Sequence, residues 1–152
     1  MGGHPDVGYN YGCYNPASYH NGGAVWPHDN AIIAAGLMRY GFVHEAQRVA
    51  QAIIEAAEYT DHRLPELFCG FERSRFPKPV PYPTSCSPQA WAAAAPVQLM
   101  RTLLRYDPDV SRNEIWLDPP VLPVAWGEST CDQSTDRWWP NHYRRDRHGS
   151  DG

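Results

Sequence analysis

Tyr40-Gly41-Phe42 constrains this chain more than any other feature, because a helical pattern lies on each side of it. The pattern before it predicts a helix from about His28–Asn30 to Tyr40. The interior of that helix, Ile32-Ile33-Ala34-Ala35-Gly36-Leu37, is apolar nearly all round, which predicts burial by neighbours on several sides. Asp29 or Asn30 supplies a side-chain oxygen for the N-cap, and Gly41 suits the left-handed residue that ends a helix. The pattern after it predicts a second helix from about Phe42 or Val43 to Tyr59. Val43, Ala46, Val49, Ala50, Ile53, Ile54 and Ala57 share one face, and Glu45, Arg48, Gln51, Glu55 and Glu58 fill the other. A connection this short makes the two helices antiparallel neighbours.

That reversal decides where the rest of the chain goes. Residues 60–87 begin at the end of the hairpin where the His20–Asn30 segment lies. Six prolines from Pro65 to Pro88 exclude a helix there, since proline withholds a backbone donor and fixes φ. Leu64, Leu67, Phe68, Phe71 and Tyr82 argue against disorder, so a long ordered loop is expected. A third helix is expected to open with Ser87 as cap and Pro88 in the first helical position, run to Leu104, and kink at Pro96. The Tyr19–Asn30 segment, the loop around Glu66, and Gln89–Trp91 are thereby predicted to share one rim.

Composition excludes several classes of function. The formal net charge of −4 leaves no basic field for nucleic acid. Cys13, Cys69, Cys86 and Cys131 contain no C-x-x-C pair, so a zinc ribbon or redox motif is not expected, and they read as reduced thiols. No apolar run approaches membrane-spanning length and Met1–Asn15 lacks the apolar core of a signal peptide, so a cytoplasmic location without a membrane partner is the default expectation. Residues 114–124 can form a short edge strand. From Ala125 onward Leu, Ile, Val and Phe are absent. The expected organisation is therefore one domain over 1–124 and a disordered tail over 125–152.

The predicted rim has the composition of a carbohydrate site. Tyr19, Trp26, Tyr82 and Trp91 offer flat apolar faces, and His20, Asn21, His28, Asn30 and Gln89 offer donors and acceptors for hydroxyl groups. Glu66 supplies a carboxylate between Pro65 and Leu67. Each candidate has a structural alternative. Glu66 can pair with Arg63 or Arg73 at the surface. Asp29 can cap a helix as well as bind sugar. Trp26 and Trp91 can pack between helices. Cys69 and Cys86 read as small buried hydrophobes. His20 and His28 with Asp29 lack any zinc spacing, so no metal or cofactor is expected.

Two stretches carry a family resemblance. Asn15-Pro-Ala-Ser-Tyr-His-Asn-Gly-Gly-Ala-Val-Trp-Pro-His-Asp-Asn30 resembles a signature loop of bacterial glycogen-debranching, amylo-α-1,6-glucosidase-like proteins of the six-hairpin glycosidase superfamily. Leu64-Pro-Glu-Leu-Phe68, followed by Cys86-Ser-Pro-Gln-Ala-Trp91, is similar to a second signature of the same proteins, and the likeness spans roughly residues 8–124. The resemblance implies an all-α fold, part of an (α/α)6 toroid with long Pro-rich loops and an irregular C-terminal tail. It implies hydrolysis of an α-1,6-glucosidic branch in an α-glucan or oligosaccharide, with Glu66 as catalytic base; the residues of the predicted rim, Tyr19, His20, Asn21, Trp26, His28, Asp29, Gln89 and Trp91, are the candidates for contact with that substrate. An inverting glycosidase also needs a protonated carboxyl group about 6.5–9.5 Å from the base. In the family that acid lies on an upstream hairpin absent from this sequence. Three helices cannot close the ring, and the apolar pattern stops near Ala125. The expectation is a truncated C-terminal part with an altered tail, inactive alone or completed by a separate chain carrying the missing hairpins. The alternatives are a non-catalytic glucan-binding module and a non-functional truncated product.

Overall fold

A computed structural model describes residue 12, residues 14–20 and 22–118, residues 123 and 126, and the backbone of 143–144. Asn21 and most of the expected tail lie outside the described residues.

The first helix, α1, spans Pro27–Arg39 with Pro27 in its first position, where a missing N–H costs nothing. Its N-cap is Trp26, which makes no side-chain capping bond. The expected caps are therefore corrected. Asp29 sits inside the first turn, where its charge complements the helix dipole, and buried Asn30 donates its amide to the Trp26 carbonyl (2.8 Å).

The second helix, α2, spans Val43–Ala57 and buries Ala46, Val49, Ala50, Ile53 and Ala56. Between the helices, Phe42 N–H donates to the Leu37 carbonyl and Gly41 N–H to Met38. Gly41 lies at φ +84°. These are the paired bonds of a Schellman cap, and they account for so short a reversal.

The third helix, α3, spans Ala90–Leu103 and continues through Pro96. It starts later than the Ser87-Pro88 signal suggested. Gln89 is the cap, its side-chain oxygen accepting from Ala92 N–H (3.0 Å).

Helix α1 packs against both α2 and α3, which scarcely touch each other. Ala31 and Ala34 of α1 meet Val49, Ala50 and Ile53 of α2 and Ala95, Leu99 and Leu103 of α3 in one core. Small side chains at these contacts bring helix axes close. Burial of α1 is one-sided, however. Ile32 is 65% exposed and Ile33 41%, against the expectation of neighbours all round.

The remainder is extended. Strands β1 (Phe68–Cys69) and β2 (Val80–Pro81) pair antiparallel within the Pro-rich loop. Strands β3 (Tyr106–Asp109) and β4 (Glu114–Leu117) form an antiparallel hairpin, and β5 (Tyr143–Arg144) pairs parallel to β4. The hairpin turns through Val110–Arg112, where the Asp109 carboxylate accepts Arg112 N–H (3.2 Å) and Asn113 takes the left-handed conformation.

The fold class expected from the resemblance is thus overturned. The described residues form three helices with two small sheets, a mixed α/β arrangement and not an all-α (α/α)6 toroid. The physical reason is local. After α3 the chain reverses at Arg105 (φ +52°), and Asp107-Pro108 runs as an edge strand paired with β4, which lies within the 114–124 stretch where a strand was expected.

Gly41→Ala places a Cβ in the left-handed region at the reversal. It is expected to lower the unfolding free energy by about 1–2 kcal/mol. Urea denaturation will show this as a lower midpoint at unchanged slope.

Candidate functional site

The segment before α1 is fastened to the Pro-rich loop at several points. Val25 and Phe68 exchange both backbone hydrogen bonds at 2.9 Å. Gly70 N–H donates to the Pro16 carbonyl (2.8 Å), and the Tyr14 hydroxyl donates to the Gly70 carbonyl. The approach at Gly70 is close enough that a Cβ there would be driven into the Gly23 carbonyl oxygen. This clamp sets Tyr19 over Glu66, 47 positions later in the chain.

Glu66 is 7% exposed. Its N–H donates to the Cys86 carbonyl (2.9 Å), while Cys86 N–H donates to Glu66 Oε2 (3.3 Å). The Tyr19 hydroxyl donates to Oε1 (2.6 Å). Next in the chain, Leu67 N–H donates to Ser85 Oγ (3.2 Å), and Ser85 Oγ donates to the Leu67 carbonyl (3.1 Å). The loop and the approach to α3 are thereby laced together at the carboxylate.

Among the described residues Glu66 forms no ion pair, and Arg73 pairs instead with Glu55 (3.0 Å). The surface ion-pair alternative is therefore not what the fold builds. The Tyr19 hydrogen bond holds the Glu66 carboxyl below its usual range, against the opposing effect of burial, and the Cys86 N–H assists. The same bond pushes the Tyr19 phenol up to about 12. At neutral pH the pair is a carboxylate accepting from a neutral phenol.

Aromatic side chains continue from this carboxylate towards α3. The Tyr19 ring lies 5.2 Å edge-on from Trp26 and 5.5 Å from Tyr82. His20 stacks on Trp26 at 5.4 Å and 7°. Trp26 meets His28 edge-on at 5.7 Å, and His28 stacks on Trp91 at 4.3 Å and 13°. His28 Nε2 lies 3.0 Å from an Asp29 carboxylate oxygen, and its buried Nδ1 has no hydrogen-bond partner among the described residues.

The structure therefore brings Tyr19, His20, Trp26, His28, Asp29, Glu66 and Trp91 into one chain of contacts. Gln89 is spent on capping α3, and Asn21 falls outside the described residues. Trp26 is 7% exposed and backs the two histidines; Trp91 is 52% exposed and keeps an open face.

Sequence reasoning missed two roles. Tyr19 acts through its hydroxyl as well as its ring. Cys86 is exposed and contributes its backbone N–H to Glu66, whereas Cys69 is buried as expected. Both partners come from segments distant in sequence, and no local pattern signals them. Among the described residues no cluster of three or more His, Cys, Asp or Glu could hold a metal ion.

Searches against known families and curated proteins add nothing to these contacts: no protein-family model matches the chain, and no curated protein does. Among the described residues no helix is long and apolar enough to cross a membrane.

Tyr19→Phe removes the donor and is expected to raise the Glu66 pKa towards the ordinary 4.5 of a glutamate, which carboxyl-carbon NMR titration will read. A carboxyl whose folded value is depressed stabilises the fold above its unfolded value, and that contribution disappears as pH falls through the folded value. Acid unfolding of Tyr19→Phe should therefore lose this component. At the alkaline end, the raised phenol stabilises the wild-type fold below about 10, and the contribution is lost as pH climbs towards 12.

Proposed function

We propose that this chain provides part of a glycoside-hydrolase site of the glycogen-debranching, amylo-α-1,6-glucosidase type, with Glu66 as the base and an α-glucan or related oligosaccharide as substrate. The observation that carries the reading is a buried carboxylate that forms no ion pair among the described residues, kept ionised by Tyr19 and Cys86 next to a line of aromatic rings. Burying an ionised carboxylate is costly unless hydrogen bonds compensate, and such groups concentrate where chemistry is done. An ionised carboxylate suits activation of water and cannot donate the proton that releases the leaving sugar.

The open face of Trp91 is the stacking surface for a sugar ring, with the exposed His20 as a hydroxyl partner. Neither hydrogen-bond partner of the Glu66 carboxylate is itself a carboxyl group. On the resemblance, the acid is supplied by a further segment or a separate chain, and the 152-residue chain alone binds glucan without turning it over. The unpaired thiols Cys69 and Cys86 are consistent with a reducing, cytoplasmic setting.

One observation favours a second reading, a non-catalytic glucan-binding module. Both oxygens of Glu66 already accept hydrogen bonds from the chain, so the carboxylate can serve to fix the rim on which Trp91 is displayed.

Affinity electrophoresis in glycogen should retard the chain. Trp91→Ala should weaken that retention about three- to tenfold, the range for one aromatic stacking contact, while the exposed Tyr40→Ala control leaves it intact. Glucose release from a branched limit dextrin should be absent for the chain alone. Turnover by the purified chain would overturn the missing-acid reading, and mobility indifferent to glycogen would overturn glucan recognition altogether.

A further inference from the structure

One face of α3 is uncharged and, among the described residues, uncovered. Ala90, Ala93, Ala94, Val97, Met100 and Leu104 are all exposed, Val97 at 71%. Their spacing of three and four residues makes a continuous stripe along the helix. The opposite side of α3 is already spent, with Ala92, Ala95, Leu99 and Leu103 buried in the core. Contiguous exposed apolar surface of this kind marks an interaction site.

The stripe is graded by size. Ala90, Ala93 and Ala94 fill its N-terminal half, Met100 and Leu104 its C-terminal half, and Val97 stands midway between Ala90 and Leu104. A second α3 laid antiparallel sets large side chains against small ones along the whole contact. A parallel copy would set Leu104 on Leu104 and leave a gap between facing alanines. Charge does not oppose the pairing. Arg101, the one charged residue of α3, is held by the Asp107 carboxylate (3.0 Å) and the Tyr106 carbonyl (2.9 Å). Two copies of a chain of net charge −4 therefore meet here without like charges at the contact. Residues 125–152 contain no Leu, Ile, Val, Phe or Met, so the chain's own tail has no bulky aliphatic side chains to lay on the stripe.

We propose that two copies of this chain associate through α3, antiparallel about a two-fold axis beside Val97. Met100 and Leu104 of each copy lie against the alanines of its partner. Such a contact uses the same patch on both copies and closes on itself, so association stops at the dimer. The stripe offers roughly 400 Å² per copy, about half of what each partner gives to a stable interface. The dimer is therefore reversible, with a dissociation constant on the order of 100 µM.

Sedimentation equilibrium of the full chain over a wide concentration range should show monomer and dimer and no larger species. Val97→Glu, at a position exposed in the single chain, should raise the dissociation constant at least about tenfold, because it brings two carboxylates together beside the axis. Tyr40→Ala, at an exposed apolar position outside α3, should leave it unchanged. Circular dichroism should match wild type for both. Orientation is read by cysteine substitution and oxidation, with peptide mass spectrometry locating each bridge so that the native thiols do not interfere. Val97→Cys should join to itself across the axis. Leu104→Cys should not, because antiparallel helices hold the two substituted sites about 20 Å apart. A monomer at every concentration, a dissociation constant unmoved by Val97→Glu, or Leu104→Cys joining to itself as readily as Val97→Cys would overturn the proposal. Glycogen retention reads Trp91 and association reads Val97, so either reading can fail without the other.

Discussion

The structure depends on one short junction, the bridge between Val25 and Phe68. Each residue gives and receives a backbone hydrogen bond at 2.9 Å, and both side chains are buried. The described residues before α1 are tied to the loop after α2 through this point, and the contacts of Pro16 and Tyr14 with Gly70 continue the tie along the chain. Without it Tyr19 would have no reason to lie over Glu66. Glu66 meets Tyr19, Leu67 packs with Ala24 and Trp26, and Phe68 turns into the three-helix core. One stretch of extended chain thus serves the carboxylate, the aromatic cluster and the core together.

The α1–α2 reversal could be read from the sequence because its causes are local. Gly41 alone accommodates the left-handed turn, and the apolar spacing of α2 has one face to bury. The convergence of Tyr19, Glu66 and Trp91 on one rim followed from that reversal by topology. What escaped reading depends on partners brought from afar. The hydroxyl of Tyr19 and the N–H of Cys86 become ligands of Glu66 only once the loop is folded. The displaced caps have the same origin: Gln89 took the position expected of Ser87, and Trp26 preceded a helix whose first turn already held Asp29. The strand expected within 114–124 is β4, though it lies in the middle of its sheet and not at an edge; its partner β3 was not anticipated, because proline and aspartate are uncommon in strands, whereas an edge strand tolerates both.

Family likeness and fold disagree here in an instructive way. The short motifs that suggested a glycosidase are motifs of loops, and they describe side chains around a site. Architecture is set by other residues, those that decide which helix faces are covered. In α1 and α3 these two sources of information part company. Ala90, Ala93, Val97, Met100 and Leu104 recur at heptad spacing on the solvent side of α3, while Leu99 and Leu103 fill the core side. Val97 is 71% exposed, and Ile32 on α1 is 65% exposed. The apolar pattern therefore reports what these helices are able to bury, and the fold reports what they do bury among the described residues. Expecting a helix apolar all round to be surrounded was sound as a statement about affinity for apolar neighbours, but it could not supply those neighbours.

The same distinction bears on the carboxylate. A glutamate in the surface loop of a small domain ordinarily finds an arginine or water, and this loop offers Arg63 and Arg73 close by in sequence. The fold sends Arg73 to Glu55 on α2 and gives Glu66 a phenol and a backbone N–H. A guanidinium would have neutralised the charge and filled the space before it. A phenol on one oxygen and a peptide N–H on the other stabilise the negative charge without cancelling it, and each carboxylate oxygen keeps acceptor capacity for a further hydrogen bond. A water or a sugar hydroxyl is the kind of group that can use it. The choice of neutral donors over a cation is what distinguishes this position from a structural ion pair, and it is made by the clamp between Val25 and Phe68 that delivers Tyr19 there.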